Sequence, residues 1–391
     1  MKSCGTLLFC AVSVAASDPE LLTRGNNQFA FDLYARLRDS HGNLAFSPFS
    51  ISTALAMTYA GARGKTDSQM AHALHFDLPQ SRLHPAFRQL TRDAGVGRHG
   101  GYDFAMANAL WGQRGFALHR QFREICEQEY GAVLEQVDFI NAAEAGRSRM
   151  NSWTEERTGG RIVELVKAGM IGPLSRLVLT NAVYFKGRWA AQFNKALTRD
   201  GPFTALDGSK VTVPLMQQAE AFGFAENAEA QVVEMRYAGG EAAMMLFLPK
   251  DAGGLARLES SLSEAVLARW VKELRVQRVA VLLPRFTVTF EAALGDTLKA
   301  MGMTDAFNPG AADFSGIAPG KGLALSAVTH KALIEVGEEG TEAAAATAVA
   351  IGITSDDPMP VFKVDRPFVF LIRHLRSGAV MFAGRVSNPK G

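Results

Sequence analysis

Lys331-Ala332-Leu333-Ile334-Glu335-Val336-Gly337-Glu338-Glu339-Gly340-Thr341-Glu342-Ala343-Ala344-Ala345-Ala346-Thr347-Ala348-Val349-Ala350 decides how the rest of the chain is read. A β-branched, apolar strand pattern runs into glycine and then into a tract of very small residues. From Thr341 onward a period of two persists. Thr341, Ala343, Ala345, Thr347, Val349 and Ile351 occupy one set of alternate positions; Glu342, Ala344, Ala346, Ala348, Ala350 and Gly352 occupy the other. The first set suits a core and the second suits water. Side chains this small are what a strand needs if it must enter between two strands already packed, because a close-packed layer has no room for bulk. Gly340 supplies backbone freedom at the pivot. Alanine is also the best helix former, so an exposed helix or a linker fits the same composition. The tract alone does not choose between them.

The remainder of the 391 residues reads as one large globular unit. Hydrophobic residues make up 48% and charged residues 20%, ordinary values for a chain with a sizeable core. No Pro/Gly/Ser-rich divider interrupts it, so a single domain over 17–391 is expected. The net charge of +2 is spread without a polybasic run, which argues against nucleic acid and acidic membrane surfaces as partners.

At the N-terminus, Met1-Lys2 precedes an apolar run from Thr6 to Ala15 and the small residues Ala15-Ala16-Ser17. That pattern fits a signal peptide over 1–16, and hence a secreted or extracytoplasmic protein, periplasmic if the source is a Gram-negative bacterium. The run is too short for a mature membrane span. Cys4 and Cys10 would leave with it, and Cys126 alone can form no internal disulfide. No Asn-x-Ser/Thr acceptor occurs.

Periodicity places helices at 27–37, 50–62, 65–74, 83–92, 120–130 and 142–158. Strands are expected at 177–185, 231–236, 243–248, 278–283, 286–290, 333–336, 368–373 and 379–385. The class is mixed α+β with several sheets.

Several short stretches, in a fixed order, resemble the serpin family. They are Gly42-Asn43-Leu44-Ala45-Phe46-Ser47-Pro48-Phe49-Ser50-Ile51, Asn151-Ser152-Trp153-Thr154 with Thr158-Gly159-Gly160-Arg161-Ile162, and Leu179 to Trp189. Leu283-Pro284-Arg285-Phe286, Asp365-Arg366-Pro367-Phe368 and Phe382-Ala383-Gly384-Arg385-Val386 complete the set. The resemblance runs from about Asn27 to Pro389. It implies the serpin fold: about nine helices, three β-sheets, and an exposed reactive-centre loop, here about 338–360, that can insert into central sheet A.

The same resemblance assigns roles. Glu338, Glu339, Gly340, Thr341, Glu342, Ala343, Ala344, Ala345, Ala346 and Thr347 match the hinge. Ser47, Ser50, Asn181 and His330 match the shutter, a polar cluster beneath the strands that part. Trp189 and Lys331 match the breach, where insertion starts. In the family the scissile bond lies fourteen residues past the hinge glycine, which from Gly340 gives Thr354-Ser355, or Ile353-Thr354 if the register slips by one. The implied activity is suicide inhibition of a serine endopeptidase. Ile353 and Thr354 point to an elastase-like or subtilisin-like target, and a cysteine protease is admitted by the same acyl chemistry. The rival within the fold is a non-inhibitory carrier, chaperone or storage protein; such members usually carry bulky, charged or proline residues in the hinge, whereas Ala343 to Ala346 and Thr347 match the inhibitory pattern. A monomer without cofactor is expected.

Enzymatic signals are weak. Gly64-Lys65-Thr66 ends like a phosphate loop, yet Tyr59 stands where its first glycine belongs. His72 and His75 are three apart with no obvious set of further metal ligands. No G-x-S-x-G elbow occurs, so the chain is not read as an enzyme. Arg82, Arg88, Arg92 and Arg98 cluster around the helix that binds polyanions in some serpins; with Asp93 among them, a solvated face is the simpler reading.

Overall fold

A computed structural model describes residues 16–96, 101–251, 253–320, 322–339 and 359–391. The proposed signal residues 1–15, the hinge from Gly340 to Thr347, the bonds at 353–355 and Arg98 lie outside the described residues.

The chain opens with helices α1 (Asp18–Leu37), α2 (Pro48–Tyr59), α3 (Gly64–Leu74) and α4 (Gln80–Asp93), with the short strand β1 (Leu44–Phe46) between the first two. Helix α1 begins well before the periodic run at 27–37, because Ser17 and Glu20 form a capping box, the Ser17 N–H donating to Glu20 Oε2 at 2.8 Å. Pro48 sits at the start of α2, where its missing N–H costs nothing, and the Ser47 side chain accepts from the Ser50 N–H at 3.1 Å. All twelve residues of α2 are buried. It is therefore the helix around which the main core assembles.

Next come β2 (Tyr102–Gln113), α5 (Arg120–Tyr130), β3 (Val133–Val137), α6 (Phe139–Arg157) and β4 (Leu177–Gly187). β5 (Arg199–Thr204), β6 (Lys210–Glu226), β7 (Ala230–Arg236) and β8 (Ala242–Pro249) follow, then α7 (Leu255–Ser261) and α8 (Glu264–Glu273). The last third holds β9 (Arg275–Pro284), β10 (Phe286–Ala293), α9 (Gly295–Ala300), β11 (Leu325–Val336), β12 (Val361–Lys363), β13 (Phe368–His374) and β14 (Val380–Val386).

Two hydrogen-bonded sheets result, of five and nine strands. The nine-stranded sheet has two lobes, β1-β14-β13-β8-β7 and β5/β6-β9-β12, joined where only Gly223–Glu226 of β6 pairs with Gln231–Glu234 of β7. Counted by lobes, the described residues form three sheets, the number that the serpin resemblance implied.

The five-stranded sheet runs β10-β11-β4-β2-β3. Its middle pair, β11 and β4, is parallel, with Ala327 to Glu335 opposite Val178 to Lys186, while β10 and β2 flank it antiparallel. One face of this sheet packs on α2 and the nine-stranded sheet. The other carries a second apolar cluster under α6, in which Trp111 and Trp153 meet edge to face at 5.8 Å. Burying each such ring contributes roughly 1.5–3 kcal/mol, so α6 is firmly laid across the sheet.

Candidate functional site: the central seam of the five-stranded sheet

Four of the residues singled out in the sequence converge beneath the seam between β11 and β4. Asn181 and His330 are direct partners in the parallel ladder. The His330 imidazole is fully buried, and burial pushes it down to about 3, so the ring is neutral. Its Nε2 faces the Ser47 backbone N–H at 3.4 Å and must accept there. The ring proton therefore lies on Nδ1 and is donated to Asn181 Oδ1. The Asn181 amide donates to Ser50 Oγ at 2.6 Å and to Asn108 Oδ1. Ser50 N–H donates to Ser47 Oγ, which in turn donates to the Met381 carbonyl at 2.6 Å.

A hydrogen-bonded ring thus closes through Ser47, Ser50, Asn181 and His330. It ties the start of α2 to both strands of the seam and to β14. Asn108 on β2, opposite Asn181 in the ladder, extends the ring and was not anticipated. A polar residue between the alanines Ala107 and Ala109 in the middle of the strand was the signal available for it. Within a low-dielectric core such a network holds one arrangement strongly, since any member left alone is costly.

At the end of β11 a second cluster fixes Gly337, Glu338 and Glu339, the last described residues before the proposed hinge glycine. Trp189 Nε1 donates to the Gly337 carbonyl at 2.9 Å, and its ring stacks on Tyr237 with centroids 4.7 Å apart. The Phe193 N–H donates to the Glu338 carbonyl at 3.0 Å. Glu338 is 4% exposed. Its carboxylate accepts from Thr198 Oγ1 at 2.8 Å and from Arg285 at 2.5 and 3.1 Å. Burial alone would raise the Glu338 carboxyl; Arg285 and Thr198 outweigh it and hold the group below its ordinary range. Glu339 pairs with Lys195. Arg285 carried no sequence assignment beyond its place in the motif Leu283-Pro284-Arg285-Phe286, and Thr198 carried none.

Lys331 does not join Trp189. It lies six positions back along β11 from Gly337, roughly 20 Å at strand rise, and opposite Ala182 rather than at the strand end. Its ammonium donates to the Val163 carbonyl at 2.9 Å and pairs with Glu291 at 3.4 Å. The alternation of the strand turns it away from His330, onto the face that carries the segment after α6. Its placement with the breach is therefore corrected.

Other sequence candidates find ordinary roles. Lys65 pairs with Asp305, and Thr66 Oγ1 accepts from the Asp313 N–H at 2.9 Å, so these residues serve a loop contact. His75 does meet a carboxylate, Asp32 at 2.7 Å. Among the described residues, though, no group of three His, Cys, Asp or Glu is arranged to hold a metal. Arg82 pairs with Asp18 and Arg88 with Glu129, while Asp93 pairs with Arg376. Among the described residues no helix is long and apolar enough to cross a membrane.

Residues 24–389 match the family model described as serpin, a serine protease inhibitor. The chain belongs to the serpin family. An uncharacterised serpin-like protein of Thermococcus kodakarensis is 42% identical over 370 residues, covering 93% of this chain and 85% of that one. The leukocyte elastase inhibitor of Bos taurus is 39% identical over 381 residues, covering 95% of this chain and all of the relative. Among solved structures, uncleaved ovalbumin superposes with a TM-score of 0.86 at 28% identity, over 94% of this chain and all of that one. This serpin thus has the fold its sequence implied, and it comes from a family of protease inhibitors rather than catalysts.

Proposed function

We propose that this serpin is a suicide inhibitor of serine endopeptidases, elastase-like or subtilisin-like, cleaved at Thr354-Ser355. The observation that carries the reading is the parallel β11·β4 pair at the centre of the five-stranded sheet, with the small-residue tract following directly on β11. A segment returning from the end of β11 would run antiparallel to both β11 and β4. It would replace one parallel ladder by two antiparallel ones, which are stronger per residue. If Gly337–Gly340 makes the connection, Thr341 falls opposite Val336, Ala343 opposite Ile334 and Ala345 opposite Ala332. Those three partners are buried in the main core, so only small side chains fit on that face.

The protease supplies the chemistry. Its serine oxygen attacks the Thr354 carbonyl carbon, the bond to the Ser355 nitrogen breaks, and the amine leaves with a proton from the protease histidine. An ester then joins the two proteins. Inserting a fourteen-residue strand moves that ester by roughly 45 Å, most of the roughly 55 Å diameter of a chain of this size. Pressing the protease against the far pole would disturb its oxyanion hole and stop deacylation. Export, which the N-terminal apolar run suggests, belongs to the same proposal.

The decisive experiment incubates the purified protein with pancreatic elastase and with subtilisin, followed by denaturing gels and mass spectrometry. An SDS-stable complex with release of a peptide starting at Ser355 supports the reading. Clean cleavage by both proteases, with no complex at either, would overturn it in favour of a non-inhibitory serpin.

A further inference from the structure

Helix α4 is held in place by its neighbours more than by its own sequence. Pro79 offers no side chain to cap its first turn. Pro85 stands inside the helix without an N–H, so the Ser81 carbonyl loses the donor that a regular helix would give it. Its apolar underside, Leu83, Ala86, Phe87 and Leu90, is buried. The first turn is tied by Gln80, whose amide donates to the Tyr59 carbonyl at 2.9 Å and to Asp67 Oδ1 at 2.7 Å, and by Arg82, paired with Asp18. Further along, Arg88 meets Glu129 of α5 at 3.4 Å, with its guanidinium largely in solvent.

His84 makes the buried polar tie from α4 to α5. It is 3% exposed. Its Nδ1 lies 2.6 Å from the Tyr130 hydroxyl, and the ring is wedged between Tyr130 and Tyr59, with centroids 5.7 and 6.5 Å away. Nε2 is buried and finds no partner among the described residues. An imidazolium would carry a second N–H there with no acceptor to receive it. The surroundings offer no compensation. At the start of α3 the Arg63 guanidinium, held against the Ala60 and Ala62 carbonyls, repels a second cation. The carboxylates on the adjoining helices are engaged elsewhere, Asp67 by Gln80 and Glu129 by Arg88. Burial pushes Tyr59 and Cys126 up to about 12 and Tyr130 well above the usual phenol range, so none of them supplies a negative charge. The closed contact accepts only the neutral ring.

We propose that the α4–α5 contact is an acid-sensitive latch, in which proton uptake by His84 releases α4 from α5 while both sheets stay formed. The inference does not depend on the inhibitory function proposed above. In the closed contact His84 titrates at about 4, against 6.5 for a free imidazole. The latch is at full strength above about pH 6.5 and is withdrawn as pH falls toward 4. Between pH 7 and pH 5 the released population rises roughly twentyfold. His330 feels the same pull, but freeing its ring means opening the sheet, whereas α4 is an uncapped surface helix with a proline inside it and opens alone.

Hydrogen–deuterium exchange of the purified protein at pH 7 and pH 5, read by mass spectrometry and corrected for the intrinsic exchange rate, tests the latch. Protection over 80–93 should fall roughly twentyfold at pH 5, while peptides from β4 and β11 remain protected over the same labelling time. His84→Gln, neutral at both pH values, should remove the pH dependence at 80–93. A fall of less than twofold in the wild type refutes the latch. So does exchange of α4 in one cooperative step with β4 and β11, which would mark global unfolding. An equal pH response in His84→Gln overturns it too, by assigning the response to another group. Should His84→Gln not fold, His84→Phe, which keeps a ring between Tyr59 and Tyr130, is read by the same criterion; if neither folds, the wild-type profile decides.

Discussion

Asn181 and His330 face each other across the parallel β11·β4 pairing in the five-stranded sheet, joined by a hydrogen bond whose proton lies on His330 Nδ1. Any strand that enters the seam must separate them. The rest of the ring, Ser47 and Ser50 at the head of α2, belongs to a helix that is buried along its whole length. Under the proposed mechanism, opening the seam exchanges hydrogen-bond partners within this ring, whose strength would then set how firmly the uninserted state is held.

Acid should weaken the closed state. The folded His330 titrates at about 3 against 6.5 for a free imidazole, so between those values the unfolded chain binds a proton that the native ring refuses. Its stabilising effect is complete above about pH 6.5 and is withdrawn as pH falls toward 3. His84, pushed down to about 4 by burial, acts in the same sense from the α4–α5 contact. Urea midpoints at pH 7 and pH 4.5 should differ more for the wild type than for His330→Gln. An equal pH dependence in the two proteins would show that His330 is not the group responsible.

Asn181→Ala removes three hydrogen bonds at once. It leaves His330 Nδ1–H and Asn108 Oδ1 without their partner in a dry site, at about 1–3 kcal/mol for each group. The variant should unfold several degrees lower and pass to polymers or a loop-inserted form faster on mild heating. Native gels over time follow the conversion, and an unchanged rate would remove the ring from the control of insertion.

Glu338→Lys reverses the charge that meets Arg285 and Thr198. Two cations would then share a site where Glu338 is 4% exposed, an uncompensated arrangement worth several kcal/mol. The end of β11 should detach, with accelerated polymerisation at 37 °C. Glu338→Lys combined with Arg285→Glu should recover much of the wild-type behaviour. Failure of the double variant to do so would assign the defect to packing instead of the ion pair.

Ala343→Arg and Thr341→Arg test the face assignment of the tract. Each puts a long cation where the proposed pairing meets the main core, so insertion slows and hydrolysis of the acyl-enzyme overtakes it. The stoichiometry of inhibition should rise severalfold, with intact serpin converted to cleaved product. A value unchanged from the wild type would mean that these side chains point outward.

Local signals carried much of the fold. The apolar periodicities at 120–130, 177–185 and 231–236 reappear almost residue for residue as α5, β4 and β7. β2 and β6 escaped notice because Ala, Asn, Gln and Gly dilute their pattern, and only pairing with β4 and β9 makes them strands. Tertiary context overrides propensity at such positions. The early start of α1 followed from a capping box that hydrophobic period does not register.

For the functional seam, the sequence by itself determined the inventory: the small tract after β11, the polar residues Ser47, Ser50, Asn181 and His330, and the tryptophan at position 189. Those are properties of composition and order along the chain. The tertiary structure alone decided which of them touch. Asn108, Asn181 and His330 meet because three strands from distant parts of the chain settle into one register. That same register turns Lys331, one residue from His330, to the opposite face, beside Glu291 and the segment after α6. A strand's period of two makes neighbours in sequence strangers in space, and the register that chooses their true partners is set by burying the whole sheet at once.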